Sequence, residues 1–447
     1  MNQASSSSAP ARRVVITGFG LVSPLGNEAD QLFDSLCQRK SGVDRFTAVP
    51  RDALAVNHGA EATAFTGHIN DYGPLEKSLQ RTIRKGAKLM CREIEMGVAA
   101  AQLAIHHAGL TPDQRDPLRT GTIFGCDYIM TLPEEFEEGI RRCLDEAGNF
   151  HFDRWAEQGL PQVNPLWLLK YLPNMPASHV AIYNDLQGPN NSITLREASS
   201  MAALAEAFST IQRGHADVLI VGATGSRVLP FRALNSVMQE DLAADRDDPA
   251  QMSRPFDRGR DGGVLGEGAG ALILETREHA AARGATLHAE VIGYGSSAVG
   301  PVGDPAGQRQ AIANVLRGAL RGQAGRPVGH LHAHGLGTVE GDIAEAEAIA
   351  EVFGSPDQAP PVVTAKGHFG NLGAGGGMVE TIASLQALQR GHLFPVLNHE
   401  TPDPRCPLRV VTDEATPAGE SFVNVNVTPQ GQAAAVCIAR YDEAANP

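Results

Sequence analysis

A layered α/β fold is the architecture this sequence predicts, and three features predict it. Short apolar stretches recur at Val14 to Gly18, Val218 to Val221, Gly270 to Glu275 and Ala289 to Gly293, separated by segments of helical character. The 447 residues are 42% hydrophobic and include 48 glycines, which suits a Gly-rich α/β enzyme with a large core or two fused units and excludes a disordered chain. The third feature is the stretch from Gly188 to Gly214, which organises the rest. It predicts a strand over Ser192 to Leu195, a sharp turn at Arg196, Glu197 and Ala198, and then a buried helix. Met201, Leu204, Phe208 and Ile211 fall at helical spacing, with Gly214 as the stop.

Taken in order, the chain opens on MNQASSSSAPA, residues 1 to 11. This segment is polar, lacks the apolar core of a signal peptide, and is expected to be a disordered tail. Val14 to Gly18 is a buried strand, and Asp30 to Gln38 begins the next helical layer. Lys77, Arg81, Arg84, Lys85, Lys88 and Arg92 recur at spacings of three and four, so they are expected to share one helical face. Such a face is either simply solvated or a dock for an acidic partner, and six positives in a chain of net charge −14 keep the second reading open. Residues 130 to 172 contain a mixed, partly acidic stretch, PEEFEEGIRRCLDEAG, followed by PLWLLKYLPNMP, and are expected to form a capping insertion that contributes a dimer or substrate surface.

Composition removes several classes of function. The formal charge of −14, from 37 basic and 51 acidic residues, argues against nucleic acid as a bulk partner. No apolar run approaches the length that crosses a membrane. The six cysteines, at 37, 91, 126, 143, 406 and 437, show no CxxC or paired spacing and are expected to be reduced thiols of a cytoplasmic protein. No metal site is expected.

A side chain at a strand-to-helix turn points into space at a helix N-terminus, where unpaired N–H groups and the macrodipole favour negative charge. Nucleophilic enzymes place an activated Ser or Cys there. Here the residue is Glu197.

The flanks of that turn, GPNNSIT and GHADVLIVGAT, resemble β-ketoacyl-ACP synthases of the thiolase superfamily. The opening RRVVITGFGLVSPLGN is similar to the family's first strand. RPFDRGRDGGVLGEGAGALILE, HAHGLGTVEGDIAEAEA and KGHFGNLGAGGG match further family blocks in the family's order, so the resemblance covers roughly residues 12 to 441. It implies a thiolase-like five-layered αβαβα fold with two related halves, residues 12–275 and 276–441, although no repeat is visible in the sequence itself. It implies a dimer, either of identical chains or with a Cys-bearing ketosynthase. It implies acyl carrier protein as the acidic partner of the basic face, and no cofactor beyond the phosphopantetheine of that carrier.

The resemblance also assigns site residues. His334 in HAHGLGT matches the first catalytic histidine, with His332 a structural neighbour. Thr338 matches a pantetheine-contacting threonine, while the threonine usual two residues earlier is Leu336. Glu345 and Lys366 match a supporting ion pair. The family's second histidine is replaced by Asn371, with His368 three positions earlier and not equivalent. The C-terminal gate reads NVTPQGQ, with Thr428 roughly where a gating Phe stands in relatives. The acyl-accepting Cys is replaced by Glu197.

A carboxylate at the turn rules out ordinary condensation, because its acyl adduct would be a labile mixed anhydride rather than a stable thioester. Cys126, in IFGCDY, lacks a helix N-terminus and a histidine partner and is a poor substitute nucleophile. Two readings follow. The first is a malonyl-ACP decarboxylase of fatty acid or polyketide biosynthesis, in which His334 and Asn371 stabilise the enolate. The second is a chain-length-factor-like, non-catalytic partner of a Cys-bearing ketosynthase. His334, Lys366 and Glu345 favour the first; the altered gate and missing second histidine favour the other. On the first reading Glu197, held ionised by the helix-end N–H groups, faces the malonyl carboxylate.

Overall fold

The computed structural model describes residues 12–300, 303–323 and 327–443. The segment 1–11, expected to be a tail, lies outside the described residues. Ten strands follow one another in a continuous hydrogen-bonded order. They are β1 (Val14–Val22), β2 (Thr120–Cys126), β3 (Asn190–Ile193), β4 (Val218–Ser226), β5 (Glu267–Thr276), β6 (Ala289–Ala298), β7 (His330–His332), β8 (Val362–Val363), β9 (Ser421–Val427) and β10 (Gln432–Ala439). The spatial order is β8-β7-β9-β10-β6-β1-β5-β4-β2-β3.

That order contains the duplication which the residues alone hide. The first half runs β3-β2-β4-β5-β1 and the second β8-β7-β9-β10-β6, the same order with every label raised by five. Directions repeat as well. The first two pairings of each half, counted from the outer edge, are parallel, and the last two are antiparallel. The halves meet where Val14–Ile16 of β1 pairs with Ala289–Val291 of β6.

Helices complete the layers: α1 (Ala29–Cys37), α2 (Lys77–Gly86), α3 (Arg92–His107), α4 (Met175–Asn184), α5 (Ser199–Gln212), α6 (Pro230–Gln239), α7 (Pro305–Ala319), α8 (Val339–Phe353) and α9 (Gly376–Arg390). One outer layer is α3 with α4, resting on the first half-sheet. The other is α7 with α8, on the second. Between them α5 touches β2 and β4 of the first half and β6 and β10 of the second, and α9 likewise touches β5 and β9. Both central helices are buried along most of their length, which is why α5 carries Met201, Leu204, Phe208 and Ile211 with small residues between. This is the five-layered αβαβα arrangement the resemblance implies.

The long strands in the middle of the sheet are apolar on both faces because helices cover both. Strand β3 is the exception. It is four residues long, partly exposed, and lies at the outer edge of the sheet with one side unpaired. The region 130–172 folds mainly as short helical turns and leaves Ile140, Phe150, Phe152, Leu160, Leu166 and Leu168 exposed. All six cysteines are unpaired thiols. Among the described residues, no helix is long and apolar enough to cross a membrane.

Candidate active site and its elbow

The sequence places a strand over Ser192 to Leu195; in the structure it ends two residues sooner, at Ile193. The backbone leaves the sheet because Arg196 adopts a left-handed conformation, with φ +49°. For a non-glycine residue this is a strained geometry of order 1–3 kcal/mol, held only where the surroundings over-determine it. One 3₁₀ turn, Arg196–Ala198, then feeds α5. The strained turn drives the Glu197 side chain into the interior, where only 2% of the residue is exposed.

What meets it there is a pair of arginines. Arg227, at the end of β4 and wholly buried, places Nη1 2.6 Å from Glu197 Oε1. Arg196 Nε lies 3.4 Å from Oε2, and Asn371 donates from Nδ2 to Oε1 at 3.1 Å. Both guanidinium groups continue to Glu240 at the end of α6, Arg196 at 2.8 Å and Arg227 through Nη2. The elbow is thus a four-member cluster of two carboxylates and two guanidiniums with no net charge, in which Glu197 and Arg227 are buried and Arg196 and Glu240 are partly so. Burial alone would raise the Glu197 carboxyl, but Arg196 and Arg227 outweigh it and hold the group well below the ordinary carboxylate range. The ionised state expected from the helix terminus is therefore present for another reason. Two arginines stabilise it first, and the carboxylate faces them rather than open space.

The loop carrying His334 is shaped by α8. Asp342 and Glu345 stand three residues apart, so both carboxylates project from one face of that helix. Glu345 accepts the His334 N–H at 2.6 Å and the Gly335 N–H at 2.8 Å. Asp342 accepts the Gly337 N–H at 3.0 Å and the Phe256 N–H at 2.7 Å. The turn needs Gly335 and Gly337, at φ +47° and +85°. Burial, reinforced by the charge of Lys366, pushes the His334 imidazole down to about 3, so it is neutral at physiological pH. Burial likewise raises the Glu345 carboxyl to about 7, against the pull of its two N–H donors.

The expected ion pair between Lys366 and Glu345 is not formed. Lys366 bonds instead to Glu380 on α9, and Glu380 accepts from Asn426 at 2.9 Å with its other oxygen. Glu345 turns its two oxygens to the His334 and Gly335 N–H groups instead. Asn371 is buried and fixed from both sides, accepting the Gly373 N–H at 3.0 Å while donating to Glu197. His368 lies between the carbonyls of Lys40 and Pro395, 2.9 Å from each, and supports the fold away from the cavity. His332 bonds to Ser384 at 2.8 Å, as suits a structural neighbour.

A cavity of about 270 Å³ opens over this region. It brings together His334, Asn371, Thr338, Thr428, Glu345 and Leu336, together with Glu240 from the elbow cluster. Glu197 and Lys366 are not part of its lining. The turn expected to act as a gate is closed on itself: Thr428 donates its N–H to the Gln432 carbonyl at 2.8 Å. That N–H is therefore not presented to a substrate oxygen. Cys126 is buried in β2 with its thiol pushed well above the ordinary value by burial, which removes it as a nucleophile.

The basic face is smaller than its spacing suggests. The helix breaks after α2, passes through the 3₁₀ turn Ala87–Leu89 and restarts at Arg92, so the six cations do not share one helix. Lys77, Arg81, Arg84, Lys85 and Lys88 are exposed, and among the described residues none forms an ion pair. Arg92 points inward, with Nη2 2.6 Å from the buried Glu267, and also holds the Ala62 carbonyl at 3.0 Å.

Sequence reasoning missed Arg227, Glu240 and Glu380, and gave Arg196 no role. The available signal was an arginine directly after the apolar strand VLIVGATGS, a place where an unpaired charge could not be buried.

Comparison with known proteins matches residues 11–280 to the β-ketoacyl synthase N-terminal domain and residues 288–400 to the β-ketoacyl synthase C-terminal domain. The 3-oxoacyl-[acyl-carrier-protein] synthase 2 of Synechocystis sp. is 31% identical over 409 residues, covering 90% of this chain and 92% of the relative. Among solved structures, the ishigamide ketosynthase/chain length factor superposes with a TM-score of 0.78 at 26% identity, covering 97% of this chain and 100% of that one. A type II polyketide ketosynthase, solved with its acyl-carrier protein and bound to a hexaketide, gives a TM-score of 0.82 over 97% of this chain and 100% of its own; at 24% identity this likeness speaks for the fold alone.

Proposed function

The chain belongs to the β-ketoacyl synthase family, and from that premise we propose that it is a non-condensing, chain-length-factor-like ketosynthase subunit of fatty acid or polyketide biosynthesis. One observation carries this reading: the residue at the nucleophile's place is a buried carboxylate locked to Arg227 at 2.6 Å and absent from the cavity wall. Acylating Glu197 would neutralise it, leave two buried guanidiniums with a single carboxylate between them, and yield an anhydride. Condensation through this elbow is therefore unfavourable on both structural and chemical grounds. The self-closed gate at Thr428 supports the same reading, because it withholds an N–H that could stabilise an oxyanion.

The partners follow as proposals from the same surfaces. The open edge of β3 and the exposed apolar side chains of 130–172 suit pairing with another ketosynthase chain, a Cys-bearing one in this reading. The five exposed cations from Lys77 to Lys88 suit an acidic acyl carrier protein. Its phosphopantetheine arm would enter the cavity past Thr338, with no further cofactor, in a cytoplasmic setting. Co-expression with a Cys-bearing ketosynthase tests this. A stable complex whose acyl products change in length when this chain is omitted supports the reading; two chains that never associate contradict it.

The decarboxylase reading keeps one observation in its favour. His334 is neutral and, like Asn371, lines the cavity, so both can donate to an enolate oxygen while carbon dioxide leaves malonyl-ACP. Formation of acetyl-ACP from malonyl-ACP by the pure chain would establish it.

A further inference from the structure

We propose a metal site outside the cavity: a zinc-class cation held by Cys37, His392 and Glu414. The three come from positions 37, 392 and 414, a spacing no motif would reveal. Their ligand atoms nevertheless all lie within 4.8 Å of one another. With metal–ligand bonds of about 2.0–2.3 Å, neighbouring donors in a tetrahedral zinc centre stand roughly 3.3–3.8 Å apart. Glu414 is the exposed member of the trio, so its carboxylate has the freedom to close on a bound cation.

The surrounding structure holds the trio in place. Cys37 is the last residue of α1. His392 follows the left-handed Gly391 that ends α9, and its strand-like bridge to Pro417 fixes the loop bearing Glu414. Leu393 donates its N–H to the Thr416 carbonyl at 2.9 Å, and Arg39 reaches from the end of α1 to the Thr412 carbonyl. The edge of Phe33 packs against the His392 ring, centroids 5.4 Å apart. The ring's Nδ1 lies 3.3 Å from the Leu393 carbonyl. An N–H placed there leaves the other nitrogen's lone pair for a metal, the arrangement metal-bound histidines favour.

Charge points the same way. Arg390, the cation whose charge acts on the Cys37 thiol, is taken by Asp30 and Asp34, each at 2.8 Å. Among the described residues Glu414 has no ion-pair partner. One thiolate, one imidazole and one carboxylate form a donor set suited to Zn²⁺, with the fourth position left to water. On binding, the Cys37 thiol gives up its proton to solvent as the Zn–S bond forms, so affinity rises with pH. The bound cation ties the end of α1 to the turn after α9 and to the 412–417 loop. None of its ligands lines the cavity.

The test uses the full chain, stripped of metal and titrated with Zn²⁺ or Co²⁺ alone. The expected result is one equivalent of Zn²⁺ per chain, a raised unfolding temperature, and a thiolate-to-cobalt charge-transfer band with Co²⁺. Cys37→Ser should abolish that band, and His392→Ala and Glu414→Gln should each weaken Zn²⁺ binding by about tenfold or more, all with unchanged circular dichroism. Absence of the band in the wild type, or Zn²⁺ affinity unchanged in both Cys37→Ser and His392→Ala, overturns the site.

Discussion

Arg227 Nη1 stands 2.6 Å from Glu197 Oε1 in a pair sealed from solvent. Arg227 directly follows β4 and Glu197 lies in the turn after β3, the two strands that flank β2, and both belong to a cluster completed by Arg196 and Glu240. A buried carboxylate is tolerated at this turn only because its counter-charges are built in.

Breaking this cluster from one side should be severe. Arg227→Met strands two carboxylates on Arg196 and should cost about 3–5 kcal/mol of stability. Adding Glu197→Gln to that variant should restore part of the loss. Urea unfolding of the two single variants and the double variant measures the coupling; simple additivity would contradict the cluster.

The lysine in the second half should couple to the partner it touches. A double-mutant cycle of Lys366→Met with Glu380→Gln should give a coupling of about 0.5–3 kcal/mol. The same cycle with Glu345→Gln should give much less, because Glu345 serves the His334 and Gly335 N–H groups instead. Equal couplings would show that the two carboxylates share the lysine.

His334 should leave a signature in the pH dependence of stability. Its folded imidazole resists protonation until about pH 3, whereas in the unfolded chain it titrates near 6.5. As pH falls below 6.5 the unfolded state takes up a proton the folded state refuses, so this contribution is present above that pH and is lost as the solution becomes acidic. Between pH 7 and 5 the loss is about 2 kcal/mol for one such group. The raised Glu345 carboxyl works in the opposite sense, being stabilising when protonated and losing that contribution as pH rises through about 7. Comparing wild type with His334→Asn separates the two, because only the histidine's share should disappear.

Carrier-protein docking should depend on the exposed cations and not on Arg92. Lys85→Glu with Lys88→Glu should weaken carrier binding, with a loss that shrinks as salt rises. Arg92→Ala should instead lower stability, because it leaves Glu267 buried without its partner. Calorimetry of binding and thermal unfolding, run on both variants, distinguish the roles.

The layers and the elbow were legible from local patterns, recurring apolar strands and a strand–turn–helix, and the His334 loop from the motif HAHGLGT that resembles the family's. The two related halves were implied by that resemblance alone, since the duplication lies in strand order and direction rather than in residue identity. Charge partners were the least legible part. Lys366 has acidic residues at 345 and 380, both on helices, and nothing in their spacing chooses between them. The run from Lys77 to Arg92 keeps a spacing of three and four straight across a helix break, so periodicity placed Arg92 on a surface it does not share. Glu197 drew notice by its position, but apart from the adjacent Arg196 its partners Arg227 and Asn371 are distant in the chain, and only the fold brings them close.

The central claim is that Glu197 is a locked structural carboxylate and not an acyl acceptor. Intact-protein mass spectrometry of the pure chain, incubated with an acyl-ACP and malonyl-ACP together, tests it most directly. The account predicts an unmodified chain and no 3-oxoacyl-ACP among the products. An acyl adduct mapped to Glu197, or condensation product formed by this chain alone, would contradict it.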